Sequence, residues 1–300
     1  MNIYINIGLD YSNFHKIGMM YGDLFIDEIS LKTNTRNILE YCKEYNIKNI
    51  FVKGTMYNRN QRRALYNTIN QFTRDMSCKV YTFISLVSLS QIYSEDSAES
   101  IEKNILQLKQ FQPPREGVDC DYIFIQKIIV PYVHSPYINK NLNHDVPSHK
   151  ESIQEHLKMV VKACKKSKFL LKDDLIVIGE YHDKGKFFDK EWSDKRQKIH
   201  YPNHAGISCY MFLMDLLETA SLQKYINRVD KNIGFRPHTY FLTDLGKSIL
   251  EVIYRHMIRY SVEGLSEGFI NKNKINEIEL HLLKEISKID AENRIREDIC

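Results

Sequence analysis

His182 and Asp183 are neighbours in the stretch Glu180-Tyr181-His182-Asp183-Lys184-Gly185-Lys186, so one backbone step offers an imidazole nitrogen and a carboxylate oxygen. Both are good ligands for a hard or borderline divalent cation. An isolated His-Asp step is more often two polar residues meeting at a helix end, and the chain contains a second one, His144-Asp145. Further ligand types at separate positions reverse that balance. His156 lies 26 residues before His182, on the edge of the stripe Ile153, Leu157, Val160 and Cys164. That helical spacing sets it at the border of a buried face. Asp290 follows an amphipathic run of Ile275, Ile278, Leu282, Leu283, Ile286 and Ile289, one turn beyond Ile286. Between them come His200, then His204 opening the segment of Ile207, Ser208, Met211 and Phe212, then His256 on a helix with Ile249, Val252, Ile253 and Met257. One histidine on an apolar face is usually a satisfied core residue. Several on separate helices around a His-Asp pair point to a cation site.

Helices must carry these residues together. Asp174-Leu175-Ile176-Val177-Ile178 reads as a buried helix entering the pair, and Gly185 allows a close turn after it. Upstream, the pattern changes. Residues 2–7 alternate as a strand should, Arg36 to Tyr45 reads as a helix, Lys48 to Val52 as a strand, and Asn60 to Phe72 as a helix. Cys78 to Ile84 is a third strand, Ser97 to Gln110 a helix stopped by Pro113-Pro114, and Asp121 to Val130 a last strand. Strands alternating with helices predict a parallel α/β sheet. The irregular, proline-bearing stretch 131–147 then separates residues 1–130 from 148–300.

Three hundred residues exceed the usual single-domain range, and 43% hydrophobic content supplies two cores. A net charge of +4 is compatible with a phosphate-bearing substrate and equally with a solvated lysine-rich face. Six cysteines at 42, 78, 120, 164, 209 and 300 contain no C-x-x-C pair and read as thiols of a reducing compartment. With no signal-peptide pattern and no apolar run near ~20 residues, the expectation is a cytoplasmic protein without a membrane span. Neither the G-x-S-x-G elbow of serine hydrolases nor the H-E-x-x-H spacing of zinc proteases occurs.

The order His156, then His182-Asp183 with Gly185-Lys186, then Asp290, resembles the HD-domain metal-dependent phosphohydrolases. Their signature is one His, an adjacent His-Asp often followed by x-G-K, and a late Asp. Gln154-Glu155-His156-Leu157 and Lys288-Ile289-Asp290-Ala291-Glu292-Asn293 resemble the family's first and last ligand segments. The resemblance covers roughly 146–300 and implies an all-α HD bundle over 148–300. It also implies a divalent metal (Mn, Mg, Fe, Co, Ni or Zn) held by His156, His182, Asp183 and Asp290. For the last position Asp244 and Asp230 are rivals. Asp183 would both ligate and orient the nucleophile. Lys186, His204 and His256, with His200 as a weaker member, are candidates for phosphate contacts, protonation of a leaving oxygen, or a second metal.

Residues 1–130 resemble P-loop kinases of the polynucleotide-kinase type, through Val52-Lys53-Gly54-Thr55-Met56-Tyr57-Asn58-Arg59-Asn60-Gln61-Arg62-Arg63 and through Phe111 to Asp119. The phosphate-binding motif is gone. Counting from Gly8, the Lys and hydroxyl positions fall among Asn13, Phe14 and His15; Lys53 stands where that family has an acid, and no arginine occurs between Arg74 and Arg115. Without the phosphate-binding lysine, phosphoryl transfer loses much of its electrostatic support. The expectation is a degenerate kinase-like domain without kinase activity, with Arg59, Arg62 and Arg63 as candidates for binding substrate, or merely an exposed basic helix start.

The chain is therefore expected to hydrolyse a phosphoester on a nucleotide or nucleic-acid end, either a phosphomonoester or a 2′,3′-cyclic phosphate. The alternatives are a non-catalytic nucleotide or nucleic-acid binding or sensing protein, and a nucleoside-triphosphate or signalling-nucleotide hydrolase.

Overall fold

Alternation along β1 (Asn2–Gly8) sends Ile3, Ile5 and Ile7 to one face of a sheet and Tyr4 to the other. The same division runs through its neighbours β2 (Leu24–Asp27), β3 (Asn49–Lys53), β4 (Lys79–Leu86) and β5 (Tyr122–Lys127). A computed structural model supplies this architecture; it describes residues 1–8, 23–53, 57–74, 77–86, 98–127, 150–195, 197–229, 239–257 and 267–294. Parallel register aligns Phe25 with Phe51, Ile3 with Ile50, and Tyr4 with both Phe51 and Tyr81. The rings consequently meet in a ladder, with centroids 4.6 Å apart for Tyr4–Phe51, 5.0 Å for Tyr4–Tyr81 and 5.2 Å for Phe83–Phe124. Each such pair is worth ~0.5–1.5 kcal/mol beyond the area it buries. One face is aromatic and the other aliphatic.

The sheet has seven strands in the order β2-β3-β1-β4-β5-β9-β8, the first five parallel. Its last two strands are β9 (Thr239–Leu242) and β8 (Ile226–Arg228), which add antiparallel along β5. The chain divides into one unit of residues 1–134 with 213–247 and a second of residues 135–212 with 248–300. This corrects the expectation that 148–300 is all-helical and forms one contiguous domain after a 131–147 linker. β5 would otherwise end the sheet with a row of unpaired backbone groups, and Thr239-Tyr240-Phe241-Leu242 has the β-branched and aromatic content to cover it.

In the first unit, helices α1 (Glu28–Glu44), α2 (Arg59–Phe72) and α3 (Ala98–Gln110) alternate with the strands as the sequence implies. Asn58 caps α2 by accepting from the backbone of Asn60 and Gln61. The arginines that open α2 are not a substrate-facing row. Arg62 is fully buried and paired with Asp119 at 2.8 Å, while also donating to the carbonyls of Tyr57 and Gln112. Arg59 is 3% exposed and donates to Pro113 O. They tie α2 to the loop before β5, and Arg63 is half-buried on the same helix. Positions 13–15, the 131–147 stretch and His144-Asp145 lie outside the described residues, as does the side chain of Lys53.

The second unit is built from α4 (Ile153–Lys166), α5 (Lys172–Tyr181), a 3-10 turn (Lys184–Phe188) and a hairpin of β6 (Glu191–Ser193) with β7 (Lys198–His200). It also takes the first part of α6 (His204–Glu218), the last part of α7 (Asp244–Arg255), and α8 (Glu267–Asn273) and α9 (Glu277–Glu292). Helices α4 and α5 pack closely at Gly179, where an added Cβ would lie 3.0 Å from Cys164 Sγ. Among the described residues no helix is long and apolar enough to cross a membrane, and the five described cysteines are all free.

Candidate metal centre

Each inward-facing side chain of the second unit is held by its own local device. Ser152 caps α4 in a reciprocal box with Glu155, which starts the helix one turn before His156. His182 is the residue that ends α5, its N–H bonded to Ile178 O at 2.9 Å. Asp183 directly precedes the 3-10 turn and Lys186 lies on it. His204 opens α6, and the preceding Asn203 is pinned by the fully buried Asp189, which accepts its backbone N–H at 2.5 Å. His256 directly follows α7, and Asp290 lies in the last turn of α9.

Gly185 is required by proximity. A Cβ there would lie 2.0 Å from His204 O and 2.8 Å from Ser208 N, and its own N–H bonds Ser208 Oγ at 2.8 Å. Ser208 Oγ in turn donates to His182 O at 3.0 Å. The expected turn after the pair is thus a helical turn pressed against the start of α6, and among the described glycines only Gly117 has positive φ.

The four ligand positions taken from the sequence converge. His156 Nε2 stands 3.0 Å from Asp290 Oδ1 and 3.5 Å from Asp183 Oδ2, and His182 Nε2 is 3.5 Å from the same Asp183 oxygen. The other oxygen of Asp183 faces a second group: Oδ1 lies 3.3 Å from His204 Nε2 and 3.2 Å from His256 Nε2. Two buried sets result, His156-His182-Asp183-Asp290 and Asp183-His204-His256, with Asp183 in both. His200 belongs to neither; it sits half-buried on β7 with Nδ1 3.1 Å from Glu191 O. Asp244, the rival for the last position, is fully exposed and bonded to Lys247, whereas Asp230 lies outside the described residues.

All four imidazoles present the same nitrogen. Nδ1 of His182, His204 and His256 meets the carbonyls of Gly179, Tyr201 and Ile253 at 2.9, 2.6 and 2.7 Å. Nδ1 of His156 is 3.2 Å from Glu151 Oε1. An acceptor at Nδ1 keeps a proton there, so each neutral imidazole turns its Nε2 lone pair inward; in His156 that nitrogen holds a second proton toward Asp290, which a metal would displace. The buried His182 Nε2 accordingly has no hydrogen-bond partner, and the Nε2 atoms of His204 and His256 face each other at 3.2 Å. Lone pairs and carboxylate oxygens crowding one space call for cations between them, so these groups fit the divalent metal that the sequence implies.

Electrostatics agree. Burial pushes the His156 pKa down, but hydrogen bonds to Asp290 and Glu151 and the charge of Asp183 carry it up to about 9. Asp183 would be raised by burial; Lys186 foremost, with His182, His204 and His256 around its oxygens, holds it well below the carboxylate range. Asp290 is likewise lowered against its burial, by His156 and His182. Burial lowers His204 more than Asp183 raises it, which keeps a neutral, ligating imidazole. Lys186 is 5% exposed, with Nζ 2.6 Å from Asp183 Oδ2.

Two members of the centre escape the ligand pattern. Glu151, just outside the cap of α4, orients His156 and has no periodic signature. Arg294 grips Asp290 through both guanidinium contacts, and its four-residue spacing from an acid at a helix end was there to be read. No family model, curated protein or solved structure matches the chain.

Proposed function

We propose that the chain is a metal-dependent phosphohydrolase of the HD type whose two cation positions share Asp183. The observation that carries this reading is the division of one buried carboxylate, Oδ2 toward His156, His182 and Asp290 and Oδ1 toward His204 and His256. Divalent cations held there supply charge to phosphoryl oxygens and lower the pKa of water. Four imidazoles and two carboxylates, with no thiolate, suit Mn, Fe, Co, Ni or Zn better than Mg, which prefers oxygen ligands and retained waters.

The chain's own groups prepare the site. Asp183, held ionised by Lys186, orients the nucleophile and divides its oxygens between the two positions. Lys186 adds a buried positive charge for a phosphoryl oxygen of the substrate. His204 and His256 serve the second position, in place of the proton-donor role that the sequence also allowed. A phosphoester suits this charge, and a nucleotide or nucleic-acid end is the substrate class favoured by the parallel α/β sheet, whose strand order reverses direction at β1, where such sheets bind nucleotides. That last step rests on fold-level analogy.

The test is elemental analysis together with hydrolysis of p-nitrophenyl phosphate, bis(p-nitrophenyl) phosphate and 2′,3′-cyclic nucleotides by protein loaded with each metal. Two equivalents and turnover are expected; Asp183→Ala should lose both ions and all activity, while His156→Ala and His256→Ala each lose one ion. A loaded protein inert on every substrate, or Asp183→Ala retaining two ions, refutes the reading.

A further inference from the structure

On α4 the metal ligand His156 occupies one side of the helix, and a concavity of about 530 Å³ opens on the other. At about 100° per residue, its α4 residues lie about 100–240° around the helix from His156. Leu157 and Val161 from α4, Phe187 from the 3-10 turn and Met211 from α6 form an apolar floor. The rim is basic: Lys158, Lys162 and Lys165 from α4 and Lys184 from the 3-10 turn, against a single acid, Glu180. Lys184 is already engaged, 3.8 Å from Glu180 Oε1 and 3.9 Å over the Tyr181 ring. The three α4 lysines are exposed, and among the described residues none of them is ion-paired. Lys162 has lysines at i−4, i+3 and i+4 (Lys158, Lys165, Lys166) and no acid at helical spacing. Like charges in such rows repel by ~0.2–0.5 kcal/mol per pair, which an anion beside them relieves.

A merely solvated basic face has no use for a floor of four large apolar side chains beneath it. The volume falls within the ~300–1,000 Å³ of small-molecule clefts, and the excess of lysines on its rim favours an anionic occupant. We propose that this groove binds a small amphiphilic anion free in solution, an alkyl or aryl carboxylate, sulfonate or phosphate. Its apolar body rests on Leu157, Val161, Phe187 and Met211, and its charge lies among Lys158, Lys162 and Lys165. The site is separate from the metal centre, though Lys186 shares the 3-10 turn that lends Lys184 and Phe187 to the groove.

The experiment titrates the full-length protein with 1-decanesulfonate, a poor metal ligand, below its micelle concentration, by calorimetry with and without EDTA. One equivalent should bind in either case. Decyl maltoside, with the same tail and no charge, should bind at least tenfold more weakly, and the double variant K162E/K165E should lose at least tenfold in affinity. Val161→Glu should also lose binding; circular dichroism and a thermal melt verify its fold, and the lysine variant, altered only on the exposed rim, keeps the test decisive if Val161→Glu does not fold. Absence of binding up to 1 mM probe, equal binding of both probes, or undiminished affinity in K162E/K165E would overturn the proposal. So would association with phosphatidylglycerol vesicles without uptake of the monomeric probe.

Discussion

Replacing Glu151 by Gln keeps the shape of that side chain and an oxygen able to accept from His156, but removes one buried negative charge. In the metal-free protein the His156 pKa is carried from the ordinary 6.5 to about 9 against its burial, by Asp290, Glu151 and Asp183. Glu151 is one of the carboxylates that produce this rise, so its charge favours positive charge at His156. A metal at His156 should feel the loss of the same charge. Partners of ligating histidines are worth ~10–100-fold in metal affinity, or ~1.4–2.7 kcal/mol, and the charge lost here places Glu151→Gln in that range.

The effect should be local. Glu151→Gln should weaken the ion held by His156, His182 and Asp290 and leave the ion at His204 and His256 within about twofold. Calorimetric titration of the metal-free variant with Mn²⁺ or Zn²⁺ should then resolve two unequal sites. An unchanged isotherm, or equal weakening of both sites, would show that Glu151 does not act through His156.

Other consequences follow from burial and charge. Gly185→Ala places a Cβ on His204 O and the Ser208 backbone, so it should cost ~1–3 kcal/mol, lower Tm by ~3–10 °C and weaken the second cation position; a melt indistinguishable from the parent would refute the packing argument. Asp119→Ala strands the fully buried Arg62 charge and should cost ~3–5 kcal/mol in urea denaturation, whereas R62M/D119L should cost much less. In the metal-free protein His156 has a raised folded pKa, so its contribution is complete below 6.5 and lost as pH rises through about 9; Tm should fall over that window relative to His156→Gln. Metal must displace the same proton, so affinity should rise with pH across the window, and titrations in two buffers should report proton release.

How much of this was legible depends on the kind of constraint. His156, His182, Asp183 and Asp290 carry their chemistry in residue type, and helical periodicity places each beside a buried face; the structure brings all four together. His204 and His256 are visible as residues, but their meeting depends on how α6 and α7 start and stop, which no spacing encodes. Arg59 and Arg62 look like an exposed basic start because the pattern at Asn58 is that of a helix cap. The carbonyls of Tyr57, Gln112 and Pro113 that consume them come from a chain reversal that residue types do not announce. The hairpin of β8 and β9 is hidden for a related reason. Three- and four-residue strands give too little alternation to register, and their place is set by an open edge more than 100 residues earlier.

Charge in the first metal group links these details to the proposed chemistry. Glu151, Asp183 and Asp290 bring three carboxylates into a buried space, against Lys186, Arg294 and, with its pKa near 9, a protonated His156. Placed against one another, these groups offset their charges, which is how the centre tolerates so many of them away from water. Exchanging the His156 proton for one divalent ion adds one positive charge, and a second ion at His204 and His256 adds two more. Loading both ions thus makes the centre more positive by three charges, which matches it to an anionic substrate. It follows that inorganic phosphate should bind the doubly loaded protein and protect its ions from chelation, and should do neither for the His256→Ala protein holding one.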